Sequence, residues 1–137
     1  MIVTSLGYGY TSSFLLKEIA SHGVKCVGIT DKTKYHKQSN LENISILPRS
    51  KTIKSITKST HLVVTAPPHE NKCPILSNYK KVIKDSNIRS ILIFQNKKDL
   101  NYFIDRFEDF PKDRIFLIPG SGVPEKYIAS NPRGNIC

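Results

Sequence analysis

The sequence predicts an α/β protein, a doubly wound parallel sheet of about five to six strands in three layers, with helices on both faces. Three observations predict it. Short apolar runs rich in Val and Ile recur along the chain, and segments with helical spacing separate them. The runs are near-continuous rather than alternating, as strands are when helices cover both faces of a sheet. Glycines follow the first run directly and lead into a helical segment, which is how a βαβ unit opens.

"MIVTSL", positions 1 to 6, reads as a strand running straight into Gly7 and Gly9. Tyr10 to His22 carries Phe14, Leu15, Ile19 and Ala20 at helical spacing, and Gly23 stands where a helix C-terminal glycine belongs. "VKCVGIT", ending at Thr30, is a second strand rich in β-branched residues. Asp31 to Asn40 reads as a polar loop, "ISIL" from Ile44 as a short strand, and Ser50 to Ser59 as a weak helix or turn. "HLVVTA", from His61, is a buried strand stopped by Pro67 and Pro68. Pro74 suits the first turn of a helix reaching Asp85, with Ile75, Leu76, Tyr79 and Val82 on its apolar face. A strand from Ile88 to Phe94, a helix from Lys97 to Phe110 and a strand from Arg114 to Ile118 follow, the last broken by Pro119, Gly120 and Gly122. Right-handed crossovers would assemble these elements into a Rossmann-like domain.

Bulk properties narrow the class. At 137 residues and 39% apolar content the chain builds one core. No apolar run approaches the roughly 18 residues of a membrane span, and no leader pattern opens the chain, so the expected location is the cytoplasm. Cys26, Cys73 and Cys137 are far apart and form no CxxC pair, which argues against a disulfide framework or zinc. Cys26 reads as a small apolar residue within a strand. The net charge of +10 comes from scattered residues, 16 Lys and 5 Arg, without a like-charge block. Arg, the side chain suited to bidentate recognition, is scarce, which argues against nucleic acid as partner. No histidine has a carboxylate three or four positions after it, and neither a GxSxG elbow nor a GxxxxGK[ST] loop occurs, so no metal site is expected.

The chemistry concentrates at "SLGYGYTSSFLLKEI", from Ser5. A dinucleotide site needs a tight turn after the first strand, close backbone approach to the pyrophosphate, and a helix N-terminus aimed at it. Gly7 and Gly9 supply the first two, and Tyr10, Thr11 and Ser12 open the helix. Ser12 stands where a third glycine is usual, and it is small enough to serve. Thr11 either contacts phosphate or caps the helix. Asp31 ends the second strand 24 positions after Gly7. A carboxylate there accepts hydrogen bonds from the adenosine ribose and favours NAD, unless it is only a turn residue. Lys32 and Lys34 would instead attract a 2′-phosphate, so the cofactor is NAD or NADP. Thr65, Ala66 and Pro67 fall at the C-terminal end of the fourth strand, where doubly wound sheets hold ligands.

"GYGYTSSFLLKEI" with "VGITD" and "THLVVTAPPHENKCPIL" resembles the NAD(P)-dependent epimerase/dehydratase branch of the short-chain dehydrogenase/reductases, specifically its atypical members, over about residues 2–93. The resemblance implies that Gly7, Gly9, Tyr10 and Thr11 hold the pyrophosphate and that Ala66 and Pro67 flank the cofactor. Asp31 departs from relatives that often carry Arg at this point. The family also needs a Tyr-x-x-x-Lys pair, whose Lys tunes the Tyr for acid/base work. None of the six tyrosines has Lys four positions on.

Residues 91–128, with "FQNKKD" and "LIPGSGV", resemble instead the inter-domain region of a GT-B glycosyltransferase of family 4, with Pro124 replacing the usual Asp. The expected organisation is a single domain over 1–128, dinucleotide-binding-like over 1–93 and glycosyltransferase-like over 94–128, with 129–137 a flexible tail. Together these readings imply an NAD(P)-binding protein related to epimerase/dehydratases, truncated and without a complete active site. The alternative is a glycosyltransferase-related fragment completed by a companion chain. No catalytic residue is assigned.

Overall fold

The structure, a computed structural model, describes residues 1–65, 74–95, 115–119 and 135–136. Seven strands form one sheet: β1 (Ile2–Leu6), β2 (Lys25–Ile29), β3 (Ile44–Leu47), β4 (His61–Val64), β5 (Ser90–Gln95), β6 (Ile115–Pro119) and β7 (Asn135–Ile136). Three α-helices are described, α1 (Tyr10–Ser21), α2 (Thr52–Lys58) and α3 (Pro74–Lys84). The strand order is β3-β2-β1-β4-β5-β6-β7, and every pairing is parallel. The chain builds outward from β1 through β2 to β3, then returns to lay β4 on the other side of β1. That reversal puts a topological switch point between β1 and β4.

The fold class is as the sequence predicts. Asn135–Ile136, within the expected tail, adds one short strand beyond the five to six anticipated. Pro119 does not break β6 but closes it, paired with Gln95 at the strand's last position, where a missing N–H costs least. The stretch expected as polar loop holds a 3₁₀ helix, Thr33–Asn40. It has no apolar stripe to support an α-helix, yet the Tyr35 ring meets Tyr8 edge-on at 5.4 Å and pins the segment to the core. The expected helix at 97–110, the turn at 120–122 and most of the glycosyltransferase-like stretch lie outside the described residues.

Alternate residues of each strand point to opposite faces. On one face Val3, Cys26, Ile44, Ile46 and Val63 pack with Leu16 and Ala20 of α1. Ile56 of α2 and Ile83 of α3 are fully buried, as are Leu6, Leu62 and Val64 of the sheet. The apolar face expected for α1 is partly corrected. Ala20 is buried, and Leu15 and Ile19 pack against the core, but Phe14 is 61% exposed and meets Tyr10 edge-on at 5.0 Å. The buried stripe is Ser12, Leu16 and Ala20, with Ser13 beside it. Phe14 lies about 200° around the helix from Ser12. Small serines at the start of the stripe let α1 approach β1 closely.

Gly23 follows α1 with φ +83°, and its N–H donates to the Ala20 carbonyl at 2.9 Å, the left-handed cap the sequence anticipates. Cys26 is buried as expected, and burial pushes its thiol up to about 11.

His61 opens β4 with Nδ1 2.8 Å from the Thr60 hydroxyl. Burial, then Arg89 and the N-terminal amine, lower its pKa. The folded chain therefore takes up this proton less readily than the unfolded chain, whose histidine titrates near 6.5. This contribution to stability is present above that pH and is lost as pH falls from there through the lower pKa of the folded chain. The expected result is a lower urea midpoint at pH 5.5 than at pH 7.5, with a smaller difference in His61→Asn. Denaturation curves followed by circular dichroism at the two pH values check it.

Candidate functional site

A cleft of about 250 Å³ opens beyond the C-terminal ends of β1, β2 and β4. It brings Gly7, Gly9, Tyr10, Thr11, Ser12 and Lys32 together, with Tyr8, Ile29, Thr30, Arg49 and Thr65 completing its walls. Two larger clefts are present, one of about 350 Å³ beside α2 and one of about 510 Å³ around Gly23 and Asn43. The latter sits at the N-terminal ends of β2 and β3. Of these three clefts among the described residues, the smallest lies at the end of the sheet where parallel α/β folds bind ligands.

The turn has a fixed construction. Gly7 adopts φ +95°, which a side chain would oppose. Its carbonyl accepts hydrogen bonds from the hydroxyls of Ser5, Ser12 (3.3 Å) and Thr65 (3.0 Å). The Gly9 N–H donates to Ser12 Oγ at 2.9 Å, and the Ser13 N–H begins the helix by donating to the Gly9 carbonyl. Ser12 is buried, so its hydroxyl fastens the turn rather than merely taking a glycine's place. The first N–H groups of α1 have no carbonyl partner within the helix, and no acidic side chain occupies its first turn. Their partial positive charge faces the cleft.

Gly9 is extended, with φ −141°. Among the described residues, a Cβ built on it would meet no atom within 4 Å beyond its own chain neighbours. The chain does not need glycine there for its own packing, so the space left open belongs to the cleft.

Beneath the turn, Tyr8 is 3% exposed. Its ring crosses Gly28 of β2 so closely that a Cβ there would fall 2.8 Å from Tyr8 Cγ and 3.0 Å from Ile46 Cδ1. Burial above all, then Tyr35 and Cys26, pushes its phenol up to about 12. Tyr8 therefore stays protonated near neutral pH, and its ring forms the floor of the turn.

Asp31 is turned to Arg49. It does not line the cleft. Its Oδ1 accepts the Arg49 backbone N–H at 2.9 Å, and its Oδ2 lies 3.9 Å from Arg49 Nε. Lys34 is turned to the Tyr35 ring, with Nζ 5.1 Å from the centroid. Ala66 and Pro67 lie outside the described residues.

Sequence reasoning missed Arg49, Tyr8 and Gly28. Arg49 follows β3, and only the order β3-β2-β1 brings that strand end beside β2. A glycine inside a strand, as at Gly28, signals a close approach. Glu18, four positions before His22, also pairs with it at 3.4 Å on the exposed side of α1. No group of three or more metal-ligating side chains occurs among the described residues, and no described helix is long and apolar enough to cross a membrane.

No protein-family model matches the sequence, and no curated protein matches it significantly. Solved structures do. The chain is similar to a D-isomer specific 2-hydroxyacid dehydrogenase from Lactobacillus delbrueckii ssp. bulgaricus in its NAD-complexed form, at 14% identity and TM-score 0.58. It is similar to a probable 2-hydroxyacid dehydrogenase from Rhizobium etli in complex with NADP, HEPES and L(+)-tartaric acid, at 14% identity and TM-score 0.59. A third is the NAD-dependent formate dehydrogenase from Staphylococcus aureus in complex with NAD, at 11% identity and TM-score 0.57. Each alignment covers 99% of this chain and 44%, 44% and 41% of those chains respectively, so this chain spans less than half their length. At these identities the likeness is one of fold, a Rossmann-type α/β domain. These three dehydrogenases are not the epimerase/dehydratases that the sequence motifs resemble.

Proposed function

We propose that the chain binds NAD or NADP in the cleft at the switch point, with the pyrophosphate over Gly7, Gly9, Tyr10, Thr11 and Ser12. The observation that carries this reading is the open space over Gly9, directly beneath the uncapped N-terminus of α1. Three structural neighbours that hold NAD or NADP on the same fold support it. Lys32 would lie at the adenosine ribose end, with Asp31 beside it in sequence turned to Arg49, and Ala66 and Pro67 would flank the cofactor after β4. The motifs of residues 2–93 relate this binding unit to the epimerase/dehydratases. With no Tyr-x-x-x-Lys pair in the sequence, its role is to hold the nucleotide rather than to supply that family's acid and base.

Titration of NADH and NADPH, followed by nicotinamide fluorescence, tests the reading. Saturable binding is expected, with thermal stabilisation that grows with ligand concentration. At a hundredfold excess over Kd that stabilisation is about 2.7 kcal/mol. A folded sample that binds none of NAD, NADH, NADP or NADPH would overturn the proposal.

A further inference from the structure

We infer that the adenosine end of this cleft is built for a 2′-phosphorylated ribose, so that the chain takes NADP(H) in preference to NAD(H); this rests on the nucleotide-binding reading of the same site. A carboxylate at the end of the second strand serves NAD by accepting hydrogen bonds from the ribose hydroxyls. Asp31 has another task. The Arg49 N–H that it accepts starts a short 3₁₀ turn leading into α2. The residue before, Pro48, stands at the cap position and offers no side-chain acceptor. Asp31 thus reaches across from the end of β2 to cap a helical start that its own sequence leaves uncapped.

Among the described residues, the charged side chains lining the cleft are Lys32 and Arg49, and the Asp31 carboxylate is turned to Arg49. The Lys32 N–H donates to Thr30 Oγ1 at 3.1 Å, which fixes its backbone at the rim. Lys32 makes no ion pair among the described residues. A ribose 2′-phosphate carries about −1.5 to −2 charges near neutral pH. A guanidinium can grip it in bidentate fashion while the ammonium serves as a point charge. NAD has a hydroxyl in place of that phosphate and offers Lys32 no anion there, while Arg49 already faces Asp31 Oδ2 at 3.9 Å.

The test compares NADPH with NADH, and 2′,5′-ADP with 5′-ADP, by calorimetry on the full chain and on Lys32→Ala and Arg49→Ala. Both substitutions are on exposed side chains, and Arg49→Ala keeps the backbone N–H that Asp31 accepts. NADPH is expected to bind at least about tenfold tighter than NADH, with the same order between the ADP probes. Each variant should lose about fivefold or more affinity for the 2′-phosphorylated ligands than it loses for NADH or 5′-ADP. Equal or tighter binding of NADH overturns the inference and leaves nucleotide binding standing. So does a variant that weakens both nucleotides alike. If neither nucleotide binds a sample that circular dichroism shows to be folded, the nucleotide reading itself falls, and this inference with it.

Discussion

Gly9→Ala is expected to fold normally and to lose nucleotide binding. The two halves of that result have separate physical origins. The backbone at Gly9 is extended, with φ −141°, so an L-residue adopts it without strain. Among the described residues, no atom beyond the chain neighbours lies within 4 Å of the added methyl. Alanine is a poorer helix cap than glycine but loses less backbone entropy on folding, and the two effects oppose each other at about 1 kcal/mol or less each. The thermal midpoint should therefore stay within about 5 °C of the parent. The methyl, however, occupies the space through which a pyrophosphate reaches the N–H groups of α1. Hydrogen bonds to a charged group are worth about 1.5–3 kcal/mol each, and losing two of them weakens binding by about 100-fold or more. Thermal denaturation and NADPH titration on one preparation check both halves. Unchanged affinity would mean that the phosphates do not lie over this turn.

The second large effect is expected at Gly28→Ala, and there the order reverses: the fold suffers first. An added Cβ would meet Tyr8 Cγ at 2.8 Å and Ile46 Cδ1 at 3.0 Å. Both neighbours are buried, at 3% and 7% exposure, so neither ring nor methyl can swing into solvent. Overpacking of this kind costs about 1–3 kcal/mol, or roughly 5–15 °C in thermal midpoint. Tyr8 must move, and Gly7 and Gly9 flank it, so nucleotide affinity should fall as well. The pair Gly28→Ala and Tyr8→Leu provides the check. With the ring gone, adding the methyl should cost much less than it does alone, and a double-mutant cycle on urea midpoints reads that coupling. Additive costs would mean that the ring is not what the methyl strikes.

Much of this architecture is legible in the sequence because the strands are local apolar runs and the first turn is punctuated by glycine. Ile44–Leu47 is found as read, and β1, β2 and α1 differ from their expected ends by a residue or two. What the sequence hides depends on contacts between distant segments. Phe14 is as apolar as Leu16, and nothing local says that close approach of Ser12 to β1 turns Phe14 outward. The carboxylate of Asp31 matches an NAD-selecting residue in type and position. Its diversion to Arg49, 18 residues on, needs β3 beside β2. Tyr8, between two glycines, shows no role in the sequence until Gly28 is seen to leave room for its ring. The 3₁₀ helix at Thr33–Asn40 carries one tyrosine, Tyr35, and no aliphatic residue, too little for periodicity to register.

The Gly7 carbonyl receives hydroxyls from three separate elements, Ser5 on β1, Ser12 on α1 and Thr65 after β4. These are the elements that diverge at the switch point. Because they are joined at one oxygen, the conformational entropy of the turn is spent when the chain folds and need not be spent again when a ligand arrives. A phosphate would meet a receptor already in its bound shape. Loosening any of the three hydroxyls would then register as a slower, costlier association even where the chain remains folded.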